Sequence, residues 1–433
     1  MRKSLVAMAA LAAAGSACAQ SSVTLFGVVD AAVSGYSAKS SFYSTSLLPA
    51  FPPAGQPDTV KRSQTALSNS GYNNSRLGFR GTEDLGGGLA ASFWLESPLF
   101  NDSGAAGLST FGRRSTVSLS GGFGELRLGR DFTPSFWSDT VFDPMGATGV
   151  GTNLISSINS NLAIAASGGT LNGGLSGGTD SYVRTSNAIG YFLPPNLGGF
   201  YGQVQYALHE NTKSTDVPGS PSRRGRYVGG RFGYGNGPLD VALAYGESTA
   251  QDATTTTAAG LFAGSAERKI ATTNLGASYD FGVLKLFGEL SRVRDEAGTT
   301  VPVGAFGRAS FGTSDKYDGA LLGVSVPVGV GVLRAAYSRV KFKDDPGLQP
   351  PGLFAPNRDA SAGKLALGYV HNLSKRTALY ATVARIRIRN GQNNPAVMGA
   401  TTGGSPAYLS TGTTSGFAPR SATGYDFGIR HAF

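Results

Sequence analysis

The chain has 433 residues with 63 Gly, 21 Pro and one Cys, 15% of its residues are charged, and its formal net charge is +10. Gly is roughly twice as frequent as in an average protein, yet 43 residues are aromatic (2 Trp, 17 Tyr and 24 Phe), which disordered chains rarely carry. The glycines have no triplet period, one cysteine makes no disulfide framework, and no uncharged apolar run reaches the roughly 18 residues of a membrane-spanning helix. A collagen, a disulfide scaffold and a helical membrane protein are excluded, and a Gly-rich, aromatic-rich β protein remains.

The first nineteen residues have the pattern of a secretory signal peptide. Arg2 and Lys3 precede the apolar run Leu5–Ala14, and Ala17–Ala19 supplies small residues at a cleavage site. A short membrane anchor and lipidation of Cys18 are the alternatives; Gly15 stands where a lipoprotein usually has leucine. We expect cleavage of residues 1–19, which removes the cysteine and two positive charges (+10 − 2 = +8), and a single domain over residues 20–433.

Short segments of alternating apolar and polar residues follow one another along the chain. Val23–Asp30, Leu89–Glu96 and Val117–Ser120 are three of them, and within the second segment Leu89, Ala91, Phe93 and Leu95 share one face. A period of two with one apolar face predicts β-strands.

The connections between these segments alternate between tight turns and long polar stretches. The tight turns contain Gly, Pro, Asn or Asp and lie at 84–88, 121–124, 194–199, 235–238, 280–282, 327–329 and 372–375. The longest stretches are Tyr36–Ser70, Phe132–Asp180, Ser248–Arg268 and Gly391–Arg420. This pattern predicts sixteen strands joined by seven short turns and eight long loops. It is typical of an all-β outer-membrane protein, a sixteen-stranded antiparallel transmembrane β-barrel with short periplasmic turns and long external loops.

The last nine residues fit such a barrel. Tyr425, Phe427, Ile429, His431 and Phe433 share one face, and Asp426 and Arg430 take the other. Aromatic residues at the end of a barrel strand suit an interfacial girdle, and we expect Tyr425, Phe427 and Phe433 to form a C-terminal membrane-insertion signal. An amphipathic edge strand of an exported β-sandwich is the alternative, but closure leaves no exposed edge in lipid.

Four strings resemble the general-diffusion porins of β-proteobacteria. They are SSVTLFGVVD at Ser21–Asp30, RLGFRGTEDLGGGL at Arg76–Leu89, LGR at Leu128–Arg130 and GIRHAF at Gly428–Phe433. The resemblance implies a homotrimer in the outer membrane, in contact with its lipids and lipopolysaccharide. It also implies that the third long loop, Phe132–Asp180, folds into the lumen and narrows it.

The resemblance further implies a ladder of arginines on the wall opposite that loop. The matching positions are Arg76, Arg114 and Arg184, and Asp139 and Asp143 would supply the loop's carboxylates. Alternation gives an independent argument for the arginines, because each lies on the face opposite its strand's apolar residues and a lipid-facing Arg costs about 2–4 kcal/mol near the midplane. Their strands are the second, fourth and sixth. The sequence departs from the family after GGGL, where Ala90 stands in place of a basic residue and Trp94 faces the lumen.

Three further arginines, Arg385, Arg387 and Arg389, alternate with Ile386 and Ile388. If the isoleucines face lipid, all three arginines lie in the lumen near one mouth. The alternative is that they stand above the membrane and bind lipopolysaccharide phosphates.

These features predict a water-filled channel for passive diffusion of small hydrophilic solutes and ions, selective for anions because the low-dielectric wall focuses positive potential into the lumen. A structural or adhesive barrel with a blocked lumen is the alternative function. An enzyme is not expected, since the three histidines, His209, His371 and His431, accompany no nucleophile motif and no zinc spacing. No cofactor, metal or nucleic-acid partner is expected either, because the basic residues are spread over the strands.

Overall fold

The computed structural model describes residues 22–43, 57–105, 110–166, 182–210, 223–256, 262–303, 307–345, 359–398 and 417–433. The expected signal peptide lies outside these residues. The described chain is mostly β-strand, and the strands are β1 Ser22–Phe42, β2 Thr59–Asn69, β3 Arg76–Gly86, β4 Leu89–Pro98, β5 Arg114–Gly121, β6 Gly124–Phe132, β7 Arg184–Phe192, β8 Phe200–Ala207, β9 Tyr227–Asn236, β10 Leu239–Thr256, β11 Phe262–Asp280, β12 Lys285–Val303, β13 Gly307–Val328, β14 Gly331–Lys343, β15 Ala360–Asn372, β16 Thr377–Arg389 and β17 Phe417–Ala432. The helices are α1 Pro134–Val141, α2 Leu154–Ala166 and α3 Pro395–Met398, with a short 3₁₀ turn at Gly391–Asn393.

All neighbouring strands are antiparallel, and the sheet closes on itself. β1 pairs with β17 from Val28↔Ala432 to Phe42↔Phe417. The backbone N–H groups of Gly27 and Phe433 each donate to the other residue's carbonyl oxygen at 3.1 Å. Closure joins the first and last strands, so the sheet has no free edge there, as a membrane-spanning sheet requires.

The seventeen strands form a sixteen-stranded barrel, as the sequence predicted. β2 pairs with the upper part of β1, Ala31–Ser41, and β3 pairs with the lower part, Ser22–Val28. β2 and β3 are therefore two halves of one barrel strand, interrupted at residues 70–75. The buried carboxylate of Asp30 organises the interruption, because its Oδ2 accepts from the backbone N–H groups of Tyr72 at 3.0 Å and Asn73 at 2.5 Å.

The two faces of the sheet differ in composition. Large apolar side chains such as Val117, Leu243, Leu322 and Phe427 are 54–67% exposed on the outward face. The inward face carries polar, charged and small residues, together with an apolar patch under the third long loop. Among the described residues no helix is both long and apolar enough to cross a membrane.

Several strands run further than the sequence predicted. β1 continues to Phe42 and β2 begins at Thr59, so the described parts of the expected loop Tyr36–Ser70 are mostly strand. β10 and β11 likewise replace most of the expected loop Ser248–Arg268. The added pairs are rich in Ser, Thr and charged residues, as in Ala253↔Ala266 to Thr255↔Gly264. The apolar alternation stops where lipid contact stops, but the backbone hydrogen bonds continue.

The third long loop enters the barrel and contains two helices. Thr133 caps α1 with its hydroxyl, and Pro134 occupies the first helical position. In α2 the side chains of Leu154, Ile155, Ile158 and Leu162 are at most 2% exposed and pack against inward-facing residues that include Val340, Ile386 and Ile388. The loop is held mainly by apolar burial against one side of the wall.

Inward-facing glycines let the loop lie close to that wall. A Cβ at Gly276 would be 2.0 Å from Cδ2 of Phe142, and one at Gly323 would be 2.6 Å from Pro144. Wall cations also fasten the loop backbone: Arg334 donates to the Pro144 carbonyl at 3.1 Å and Lys364 donates to the Thr152 carbonyl at 2.6 Å.

Candidate functional site

The third loop covers only part of the inner wall. α1 packs against β8–β11, α2 packs against β10 and β13–β15, and residues 144–151 between them contact β13–β17. The inner face of β3–β7, which we call the open arc, lies across the lumen from these contacts. Its inward-facing residues therefore border the space left between loop and wall.

Alternation fixes which residues of the open arc face inward. Phe79, Val117, Leu119, Leu126 and Leu128 are 38–55% exposed on the outward face. Their neighbours in each strand point into the lumen. Five arginines lie on this inner surface or at its edge with three carboxylates between them: Arg76, Arg80, Arg113, Arg114 and Arg127, with Glu96, Glu125 and Asp131.

Two of the predicted arginines belong to two neighbouring groups of ion pairs. In the first group, Glu96 accepts from Arg113 Nε at 2.5 Å and lies 3.8 Å from Arg76 Nε. In the second group, Asp131 lies 3.6 Å from Arg114 Nε and 2.6 Å from Arg127 Nη1. The carboxylates stand on the same wall as the arginines, so they hold the guanidinium groups apart and fix their positions.

Trp94 lies at the centre of a second group. The guanidinium carbons of Arg114 and Arg80 lie 4.6 Å and 5.2 Å from the centre of the Trp94 ring. The centre of the Phe26 ring lies 4.9 Å from the same point. Arg80 is exposed to the lumen and makes no ion pair within the described part of the chain. Cations stacked on an aromatic face keep a fixed position while a side of the guanidinium stays available to a passing anion.

Arg184 stands apart from these groups. Its guanidinium lies 4.3 Å from the centre of the Phe132 ring. Asn187 has φ 55°, and the pairing of β6 with β7 shifts between Gly129 and Asp131. The prediction that Arg184 faces inward counted alternating residues back along β7 from its apolar residues. The irregularity at Asn187 lies between those residues and Arg184, so the count does not apply to Arg184.

The two predicted loop carboxylates are buried. Asp139 is 1% exposed; it accepts from the Tyr182 hydroxyl and from the side-chain amide of Asn274. Burial, with nearby Glu289 adding to it, raises the pKa of Asp139 well above its ordinary value.

Asp143 is 6% exposed and accepts from the backbone N–H of Met145 and from Asn153 Nδ2, both at 2.8 Å. Burial raises its pKa to about 6. Both carboxylates fasten the loop internally or to the wall and do not present a charge to the open arc.

The lumenal placement expected for Arg385, Arg387 and Arg389 is wrong. Ile386 and Ile388 are 0% and 3% exposed and pack against α2, so they face inward. The three arginines share the exposed outward face of β16 with Val383. Apolar residues of a barrel strand usually face lipid, but Ile386 and Ile388 face the lumen because the apolar side of α2 lies there.

The residues expected to form the C-terminal signal lie on the outward face. Tyr425, Phe427 and Phe433 are 47%, 60% and 41% exposed. The Phe433 ring covers Gly27 of β1, whose Cβ would lie 2.3 Å from it. The terminal residue thus lies at the closing seam of the barrel.

Sequence reasoning missed Arg80, Arg113, Arg127 and the carboxylates between them. For Arg80 and Arg127 a signal was present, because Arg80 follows the apolar Phe79 and Arg127 stands between Leu126 and Leu128, as expected for inward-facing residues of an alternating strand. Arg113 precedes its strand and had no such signal. A closed antiparallel barrel with an apolar outer band, an inserted loop and an arginine-rich inner surface defines a channel-forming barrel.

Comparison with known proteins identifies the family. The sequence profile described as Gram-negative porin matches residues 5–391. Outer membrane porin protein 32 of Delftia acidovorans is 38% identical over 434 residues, covering 100% of both chains, and an outer membrane porin protein of Bordetella pertussis is 30% identical, covering 88% of this chain and 93% of its own. The solved structure of the anion-selective porin from Comamonas acidovorans superposes with a TM-score of 0.65 at 35% identity, covering 96% of this chain and 100% of that one. The chain belongs to the Gram-negative porins and is a multi-pass, channel-forming protein of the outer membrane.

Proposed function

We propose that this porin passes small hydrophilic solutes and selects for anions at the open arc. The observation that carries the proposal is the cluster of charge around Trp94 and Glu96, where five arginines stand beside three carboxylates. Asp84, on the same face of β3, lies away from this cluster at the turn end of the strand. Arg80 and Arg114 flank Trp94, and Arg80 makes no ion pair within the described part of the chain. Positive potential in a narrow lumen with low-dielectric walls raises the local anion concentration. The similarity of this chain to the anion-selective porin from Comamonas acidovorans supports the proposal.

The test is the reversal potential of the purified porin in a planar bilayer under a KCl gradient. We expect the wild-type chain to favour chloride, and Arg80→Gln combined with Arg114→Gln to lower the chloride-to-potassium permeability ratio. Arg292→Gln combined with Arg294→Gln is the matched control, because it removes two positive charges from the outward face of β12. A wild-type preference for potassium, or equal shifts in both double variants, would contradict the proposal. Absence of conductance steps would favour the blocked barrel.

We further propose that the chain assembles as a homotrimer in contact with outer-membrane lipids and lipopolysaccharide, as the porin family implies. The mass of the detergent-solubilised protein, measured by light scattering, tests the assembly. A monomeric mass under conditions that preserve conductance would contradict it.

A further inference from the structure

Six cations form a cluster on the outward face of the barrel. They are Arg339, Lys341 and Lys343 on β14 and Arg385, Arg387 and Arg389 on β16, and all six side chains are exposed. We call them the outer basic cluster. Each strand ends at its long connection just beyond the cluster, so the cluster lies at the long-loop end of the barrel.

Strand register arranges these cations around a floor of small residues. Gly363 of β15 pairs with Arg339 on one side and Arg387 on the other. Ser361 pairs with Lys341 and Arg389 in the same way. Cations two strands apart are separated by about 10 Å at the backbone, a span that their long side chains can close around one phosphate.

The charges of the cluster are not neutralised within the described part of the chain. None of the six makes an ion pair there, although other cations on the outward face do: Lys269 binds Glu267 at 2.6 Å and Arg292 binds Asp318 at 2.7 Å. Asp318 pairs in register with Lys341, but Arg292 already engages it. Six like charges on two strands that flank β15 repel one another, so an external anion would stabilise them.

An apolar surface begins directly beside the cluster. Tyr337 and Val383 directly precede the cations on the outward faces of β14 and β16, and Leu365 lies beside them on β15; the three are 49%, 47% and 50% exposed. On the other side of β14, a groove of about 890 Å³ carries charges of both signs, since the three cations of β14 share its lining with Glu247, Glu296 and Asp318. The Tyr337 hydroxyl lies over Gly363, 3.0 Å from the position of a Cβ there, at the boundary between the apolar and basic surfaces.

We propose that the outer basic cluster binds the phosphate groups of lipid A, the phosphorylated glycolipid that anchors lipopolysaccharide in the outer leaflet, with the acyl chains against the adjacent apolar surface. This site deepens the lipid contact proposed above and depends on the outer-membrane location of the barrel. Arg and Lys match phosphate oxygens in charge and hydrogen bonding, and the order of cations above apolar side chains matches a headgroup above acyl chains. The small residues Ser361 and Gly363 leave room for the phosphate between the two cationic strands.

The test measures binding of bisphosphorylated lipid A to the porin refolded without lipopolysaccharide, by native mass spectrometry in detergent. Arg387→Gln combined with Arg389→Gln should weaken binding by about tenfold or more, since each cation near a phosphate is worth roughly a factor of five. Arg226→Gln combined with Arg308→Gln is the matched control, because Arg226 is paired with Glu247 at 3.7 Å and Arg308 is stacked on Phe262 at 4.1 Å. Gly363→Leu should also weaken binding, because it fills the floor without changing a charge.

Each alternative gives a distinct result. Equal losses in the cluster and control variants would overturn the proposal in favour of unspecific charge attraction. If millimolar inorganic phosphate displaces lipid A completely, the cluster is an anion site for solutes and the proposal is overturned. If the cluster variant changes the oligomeric mass but not the affinity for lipid A, the cluster is a contact between copies of the chain. The selectivity experiment uses other residues, so failure of this proposal leaves the proposed channel function intact.

Discussion

The close approach of the third loop to the wall can be tested at Gly276. A Cβ on this inward-facing residue of β11 would lie 2.0 Å from Cδ2 of Phe142 and 2.5 Å from its Cγ. Carbon atoms that are not bonded normally approach to about 3.5–4.0 Å. In Gly276→Ala the Phe142 ring must therefore retreat by about 1.5 Å, and because β11 blocks the outward direction, the ring and its loop can move only toward the lumen.

The expected loss of stability follows from the burial of Phe142. Its side chain is 0% exposed, so the space around it is full, and overpacking of such a site costs about 1–3 kcal/mol. Gly288→Ala on neighbouring β12 is the matched control, because its new Cβ has its nearest neighbour at 4.0 Å. There the substitution should be neutral or slightly stabilising, since alanine is favoured over glycine within a strand by about 0.5–1 kcal/mol.

Two measurements check this prediction: the unfolding transition of the detergent-solubilised porin and its single-channel conductance. Gly276→Ala should unfold earlier than Gly288→Ala and conduct less, because the displaced loop narrows the passage. Adding Phe142→Ala to Gly276→Ala should restore part of the conductance, which makes the two substitutions non-additive. If Gly276→Ala unfolds and conducts like Gly288→Ala, the loop does not lie against β11 as described.

Three further predictions concern the anchors of the loop and the seam. Tyr182→Phe leaves a buried carboxylate of Asp139 without its hydroxyl donor and should cost about 1–3 kcal/mol in chemical unfolding, against no loss for Tyr279→Phe on the outward face. Because burial raises the pKa of Asp143 to about 6, the folded loop binds this proton more tightly than the unfolded chain, so stability should fall as pH rises from about 4 to about 6. Asp143→Asn should flatten that pH dependence, and an unaltered profile would exclude Asp143 as its source. Phe433→Ala should lower the refolding yield relative to Phe433→Tyr, because the ring covers Gly27 at the seam.

The barrel could be predicted from the sequence because its signals are local. Alternation in β3 and β5 places Leu77, Phe79 and Val117 on the apolar side and so fixes Arg76 and Arg114 on the other. Tight turns rich in Gly and Asp mark one end of each hairpin. The strand extensions beyond the lipid band carry no apolar alternation, and they were therefore assigned to loops.

The resemblance implied that the third loop enters the lumen, but the part of the wall that it covers could not be predicted, and the error at β16 follows from that. Ile386 and Ile388 face inward because α2 provides an apolar surface within the lumen. The alternation along β16 did indicate the correct orientation, because the apolar Val383 lies on the same face as Arg385. Val383 is 47% exposed on the outward face. The break at Asn187, which removes the argument for Arg184, is a backbone φ of 55° that no residue pattern announced.

Position in the barrel, rather than the net charge of +10, decides what each cation of this chain does. Arg334 and Lys364 are buried under the loop and donate to its carbonyl oxygens, so they contribute little to the field in the passage. The outer basic cluster is separated from the lumen by the sheet. The field that acts on a permeating ion is therefore set mainly by the charged residues of the inner wall that the loop leaves uncovered, among them Arg80 and Arg114. Neutralising these two of the 37 Lys and Arg residues should lower the anion preference measurably, which no argument from composition would predict.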